Sequence, residues 1–347
     1  MTEARIAGIG VAVPRHDIHA AFIDWAGQRL PPRDAALFRR MADRAGIGQR
    51  FSVLADPVGP GGFYADAALP TTAPRMAAYA AHAPDLALAA IDALVADIGP
   101  LGAVSHLIVA SCTGFTAPGL DQIVARRAGL GAGVERTLVG FMGCYAAVAA
   151  LRLARHIVRS EPQARVLVLT VELSTLHLQP TAEVGELLAM LQFGDGAAAA
   201  LVTGGAGRLT LGEPFSATLE DSDDLIRWTI GDQGFAMHLS GEVPGRIAAA
   251  LAAGPLAERL AGGPPIDGWA VHAGGRSILD AVARALHLPE QALAPSRAVL
   301  AGMGNMSSTT LMAVLARTIG GPRIDNGVAL AFGPGLAAEG MRFAVAP

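Results

Sequence analysis

The sequence predicts an α/β fold made of two related halves, residues 1–205 and 206–347. Three observations carry this. Strand-length apolar runs alternate with helical patterns along the 347-residue chain. Glycine-rich turns close many of the runs. The order of elements in the first half returns in the second.

The elements follow in order. Residues 5–13 (RIAGIGVAV) read as a strand stopped by Pro14, and residues 22–30 as a helix ending before Pro31. Residues 33–45 (RDAALFRRMADRA) are amphipathic: Leu37, Phe38, Met41 and Ala45 face one way, and Arg39, Arg40, Asp43 and Arg44 the other. That charged side has two readings, a solvated face or a clamp for phosphates. Residues 56–74 read as a surface loop, 85–98 as a helix, and 107–112 (LIVASC) as a buried strand. A helix begins near Asp121. An apolar run then ends at Gly140-Phe141-Met142-Gly143, followed by Cys144 and an alanine-rich helix to Ile157. Residues 166–172 (VLVLTVE) form a strand leading to Ser174, Thr175 and His177. A helix over 183–191 precedes Phe193-Gly194-Asp195-Gly196 and a small-residue strand over 197–202. Gly204 to Gly207 mark the boundary between halves.

In the second half, 209–211 is followed by 228–239 (WTIGDQGFAMHL) and a helix from Val243. Residues 269–272 (WAVH) form a strand before the helix 277–286. Residues 298–300 lead to Gly302-Met303-Gly304-Asn305-Met306-Ser307-Ser308 and a helix to Ile319. Residues 327–332 (GVALAF) form a strand ending in Gly333-Pro334-Gly335.

The duplication shows in aligned motifs. Met142-Gly143-Cys144 pairs with Met303-Gly304-Asn305, and Ser111-Cys112-Thr113-Gly114 with Val271-His272-Ala273-Gly274. Each half therefore reads strand–loop–helix, strand–turn–helix, strand. Pseudo-twofold symmetry would bring Cys144, His272 and Asn305 together at strand ends between the halves.

Composition narrows the classes. With 26 Lys+Arg against 30 Asp+Glu, the net charge of −4 provides no basic field for nucleic acid. Mean hydropathy is +0.42, largely from alanine, yet no run has the ~18–20 apolar residues of a membrane span. The start MTEARIAGIG lacks a signal-peptide pattern. Only Cys112 and Cys144 occur, which fits a reducing cytoplasm, and no zinc spacing or phosphate loop is found. No metal site and no resident cofactor are expected.

Strand, tight turn, cysteine, helix is a geometry for an activated nucleophile, because a helix N-terminus favours the thiolate. The alternative for Cys144 alone is a small core residue. His272 and Asn305 supply two hydrogen-bond donors suited to an enolate or oxyanion. Each has a plainer reading, as a satisfied core histidine and as a turn former.

The segments GFMGCYAAVAALRLA, FGDGAAAALV, VHAGGRSILD, GMGNMSSTTLM and FGPGLAAE resemble the successive motifs of type III polyketide synthases, the chalcone-synthase-like branch of the thiolase superfamily. The resemblance implies a thiolase-like five-layered αβαβα fold, a homodimer, and iterative decarboxylative condensation of malonyl-CoA onto an acyl-CoA starter. It implies that Cys144 carries the chain, that His272 keeps Cys144 ionised, and that His272 and Asn305 promote malonyl decarboxylation. Phe193 matches an aromatic gatekeeper, with Met237 at the second gatekeeper position. Arg40, Arg44 and Ser277 match CoA-binding positions. Cys112, Thr113, Ser174, His177, Trp228, Ser307 and Phe332 match positions around the cavity. The bulk of Trp228, where chalcone-forming enzymes have glycine, disfavours a chalcone-sized product and points to alkylpyrones or alkylresorcinols. The rivals are a single-step condensing enzyme of the ketoacyl synthase III type and an inactive acyl-CoA-binding relative.

Overall fold

The computed structural model describes residues 2–65 and 69–346. Of the loop expected over 56–74, residues 66–68 lie outside the described residues. The first half contains β1 (Ala4–Ala12), a short pair β2 (His16–Asp17) and β3 (Phe51–Ser52), then β4 (His106–Ser111), β5 (Glu135–Gly140), β6 (Arg165–Leu173) and β7 (Asp195–Thr203). The second contains β8 (Leu209–Thr218), the ribbon β9 (Ile226–Gly231) and β10 (Gly234–Leu239), then β11 (Gly268–Val271), β12 (Ile324–Gly333) and β13 (Ala337–Val345).

The halves share a sheet order. The first runs β5-β4-β6-β7-β1 and the second β11-β12-β13-β8. One end of β1 pairs with β8 through Ala4, Arg5 and Ile6, so hydrogen bonds join both into one nine-stranded sheet. Strand residues alternate between two apolar environments, as a period of two requires. In β4, Leu107 and Val109 pack outward, while Ile108 and Ala110 pack inward. The inner environment holds the helices Ala146–Ser160 and Ser308–Ile319. The outer one holds Thr72–Ile98 on the first half and Val243–Ala252 and Arg276–Ala285 on the second. Helices, strands, helices, strands, helices are the five layers.

Several expectations change. The repeat predicted a second strand before Asn305, but Ala294–Met303 is a helix with Pro295 in its first turn. Proline favours a helix start, and the alanine-rich run sustains it. The helix read over 85–98 is longer than expected: it begins at Thr72, inside the end of the loop read over 56–74, and continues through a buried Pro84. The amphipathic helix is Pro32–Ala42, so Arg44 stands in the turn beyond it. Phe38 and Ala42 are buried, whereas Leu37 and Met41 are exposed, so the buried stripe is narrower than the pattern suggested. No helix among the described residues is long and apolar enough to cross a membrane.

Candidate active site

Strand β5 delivers the cysteine. Phe141 (φ 57°) and Gly143 (φ 74°) turn the chain sharply, and a 3-10 turn Gly143–Tyr145 leads into the helix Ala146–Ser160. Gly143 is required twice. Its φ is left-handed, and a Cβ there would meet Cδ of Pro334 at 2.4 Å. The Gly333-Pro334-Gly335 turn of the second half thus rests directly on the cysteine turn.

The pseudo-equivalent turn carries Asn305. Gly304 has φ 67°, matching Gly143 in hand. Asn305 is oriented by its network: Oδ1 accepts from the Ser307 backbone N–H at 2.8 Å and from the Thr310 hydroxyl at 3.3 Å, and Nδ2 donates to the Gly274 carbonyl at 3.3 Å. One Nδ2 hydrogen remains for the cysteine side. Ser307 holds φ 49°, an uncommon conformation for a non-glycine residue, beside that sulfur. His272 follows β11 and is buried, and neither ring nitrogen has a protein partner.

Cys144, His272 and Asn305 line one cavity of about 50 Å³, with Phe193, Met237, Phe332 and Ile278. The sulfur lies within hydrogen-bonding reach of Ser307 and Asn305. Burial sets the electrostatics. It pushes the Cys144 thiol up to about 12, with hydrogen bonds from Ser307 and Asn305 acting the other way. It pushes the His272 imidazole down to about 3. Burial therefore favours the neutral thiol and the neutral imidazole. Desolvation thus works against the thiolate that a helix N-terminus favours.

Glu172 is the acid that sequence reasoning passed over. It is the penultimate residue of β6, is fully buried, and accepts from the Cys112 backbone N–H and the Thr113 hydroxyl, both at 3.0 Å, and from the Ser308 hydroxyl at 2.5 Å. Burial raises it to about 7, against those three hydrogen bonds. Its signal was a single carboxylate closing an otherwise apolar strand. Cys112 and Thr113 lie behind the cavity wall, not on it. Cys112 is buried, and its sulfur accepts from the Gly143 N–H at 3.0 Å.

A second, larger cavity of about 460 Å³ adjoins the first and does not contain the cysteine. Phe193 and Met237 line both, and so form the partition. Ser174, His177 and Trp228 line only the larger one. His177 is a brace: Nε2–H donates to the Thr113 carbonyl at 2.7 Å, Nδ1 accepts from the Phe235 N–H at 3.1 Å, and the ring stacks on Phe235 at 4.1 Å. Phe193 is pinned through its backbone. Arg50 donates to its carbonyl at 2.7 Å, and its neighbours exchange backbone bonds with Asn305. Arg40, Arg44 and Ser277 are exposed and line neither cavity. Arg276 donates to the Arg44 carbonyl at 3.2 Å and so brings Ser277 beside that turn, next to the cavity-lining Ile278.

Two pseudo-symmetric halves that offer a cysteine, a histidine and an asparagine to one small cavity define an acyl-transferring condensing enzyme of the thiolase-like class. Residues 3–206 match the family of chalcone and stilbene synthases by its N-terminal domain, and residues 214–346 by its C-terminal domain. The chain belongs to this family, the type III polyketide synthases. It is 36% identical to 1,3,6,8-tetrahydroxynaphthalene synthase of Streptomyces peucetius, over 96% of this chain and 91% of that one. It is 34% identical to the alpha-pyrone synthesis polyketide synthase-like Pks18 of Mycobacterium tuberculosis, over 74% of this chain and 67% of that one. Among solved structures, PKS-I of the brown alga Ectocarpus siliculosus superposes with TM-score 0.89 at 29% identity, covering 100% and 99% of the two chains.

Proposed function

We propose that this synthase extends an acyl-CoA starter, held as a thioester on Cys144, by repeated decarboxylative condensation with malonyl-CoA, and cyclises the product to an alkylpyrone or alkylresorcinol. The observation that carries this reading is the shared cavity of Cys144, His272 and Asn305, partitioned by Phe193 and Met237 from a space large enough for an acyl chain. In loading, the Cys144 sulfur attacks the starter carbonyl as its proton passes to neutral His272, and CoA leaves as the thiol with that proton. In extension, malonyl-CoA loses CO2, and its electron pair becomes an enolate held by His272 and Asn305. One well-placed donor of this kind contributes about 2.7–4 kcal/mol. The enolate carbon attacks the Cys144 thioester, a carbon–carbon bond forms, and the thiolate is released.

CoA is gripped from Arg40, Arg44 and Ser277, and no cofactor beyond the CoA thioesters is needed. The protein works in the cytoplasm as a homodimer. Supporting the dimer, β5 is a sheet edge, and Phe115, Leu138 and Phe141 beside it are exposed. The test is incubation with malonyl-CoA and a panel of acyl-CoAs, read by mass spectrometry. Multiply extended products are expected from the wild type and none from Cys144→Ala. Single-extension products alone, or retained polyketide formation in the variant, would overturn the proposal.

A further inference from the structure

Arg50 is a cation kept inside the protein. It is 2% exposed, and among the described residues no carboxylate pairs with its guanidinium within 4 Å. Asp195 and Asp17 act on it from farther away, and Nη2 has no protein partner. Burying a charge on these terms costs stability, and an apolar chain of similar length would cost less. Stability alone therefore does not account for the arginine.

Its contacts lead to the active centre. Nη1 donates to the Phe193 carbonyl at 2.7 Å, the length of a charge-assisted bond. Nε donates to His19 Nδ1 at 3.3 Å, and the guanidinium carbon stands 4.4 Å from the Phe22 ring centroid, which together fix the direction of the fork. The stem of the side chain is wedged between two turns. A Cβ on Gly194 would lie 3.2 Å from the Arg50 Cβ, and one on Gly304 would lie 3.1 Å from it. The first glycine follows Phe193 and the second precedes Asn305. The two turns are also bridged to each other. The Asn305 N–H donates to the Gln192 carbonyl at 2.8 Å, and the Gly194 N–H donates to the Asn305 carbonyl at 3.0 Å. Just before the arginine, the Gly48 and Gln49 N–H groups donate to the Ala301 carbonyl at 2.8 and 3.1 Å, near the end of the helix that leads to Asn305.

We propose that Arg50 is a positioning residue for the reaction: it fixes the main chain of Phe193 and, through the bridge, that of Asn305, so that the partition and the enolate donor are held in one register. This rests on the synthase reading, in which the Asn305 amide meets the enolate oxygen. A misplacement of about 1 Å can cost about a hundredfold in rate. Slack in this frame should therefore reduce kcat far more than it weakens substrate binding.

The test pairs kinetics with hydrogen exchange on Arg50→Met and Arg50→Lys. With malonyl-CoA alone, read as release of CO2, Arg50→Met should lose about tenfold or more in kcat while KM moves less than about threefold. Arg50→Lys keeps the cation and one donor, and its kcat should return to within about threefold of the wild type. In Arg50→Met the Gly194 and Asn305 amides should exchange about tenfold faster or more, with the helix Ser308–Ile319 unchanged. Wild-type kcat in Arg50→Met, a lysine variant as slow as the methionine one, or exchange raised evenly along the chain would overturn the assignment. Should Arg50→Met not fold, a tenfold loss of kcat in Arg50→Lys with wild-type exchange at both amides would overturn it equally. A wild type that releases no CO2 and extends no acyl-CoA, yet shows the local change in exchange, would sink the synthase reading and leave the hold of Arg50 on the two turns standing.

Discussion

At the scale of single residues, the active centre is governed by burial more than by sequence neighbourhood. Burial pushes the Glu172 carboxyl up to about 7, and it sits where its charge opposes a Cys144 thiolate. Glu172→Gln is expected to lower the apparent pKa of Cys144, measured as the pH dependence of iodoacetamide alkylation; an unchanged profile would remove Glu172 from that role. His272 has the opposite consequence for the fold. Its folded value of about 3 lies below the ordinary 6.5 of the unfolded chain, so only the unfolded chain takes up the proton as pH falls below 6.5. Stability is then lost by about 1.4 kcal/mol per pH unit toward pH 3. His272→Gln should lose less stability than the wild type between pH 6.5 and 5, measured by urea unfolding at each pH. The trio was legible because repeat-related motifs placed three reactive side chains at matching positions. Glu172 and Arg50 were not, since a lone charge in an apolar run says nothing of the partners that the fold brings to it.

At the scale of elements, the two glycine turns before Cys144 and Asn305 are where sequence and geometry agree best. A positive φ with a close contact behind it leaves a distinct mark in the sequence. Gly143→Ala should cost about 1–3 kcal/mol from backbone strain alone, with Pro334 displaced besides. Chemical unfolding would show this, and slowed thiol alkylation should accompany it; wild-type stability would mean that the turn relaxes freely. Other elements were less legible. The helix Ala294–Met303 occupies the place where the repeat called for a strand, because local propensity at a sheet margin can prevail over an ancestral pattern. The helix Thr72–Ile98 hid its first half behind Pro84, which reads as a start when met in sequence.

At the scale of the whole molecule, layer order was readable, since both faces of each central strand are apolar. The junction of the halves was not, because nothing in β1 announces that one end would pair with β8. The bare edge at β5 makes association testable. Leu138→Asp should shift the protein toward monomer in light scattering, and an unaltered mass would place the interface elsewhere. The shared sheet also limits how substrates are admitted. With β1 stitched to both β7 and β8, the halves have no hinge on which to part. Phe193 is moored at its main chain by Arg50 and by bonds to Asn305. On the proposed reaction, passage between the two chambers would then fall to the turning of a phenyl ring and a limber thioether within a fixed frame. Such motion is local, so admission should not wait on the microsecond-to-millisecond closures that pace many enzymes.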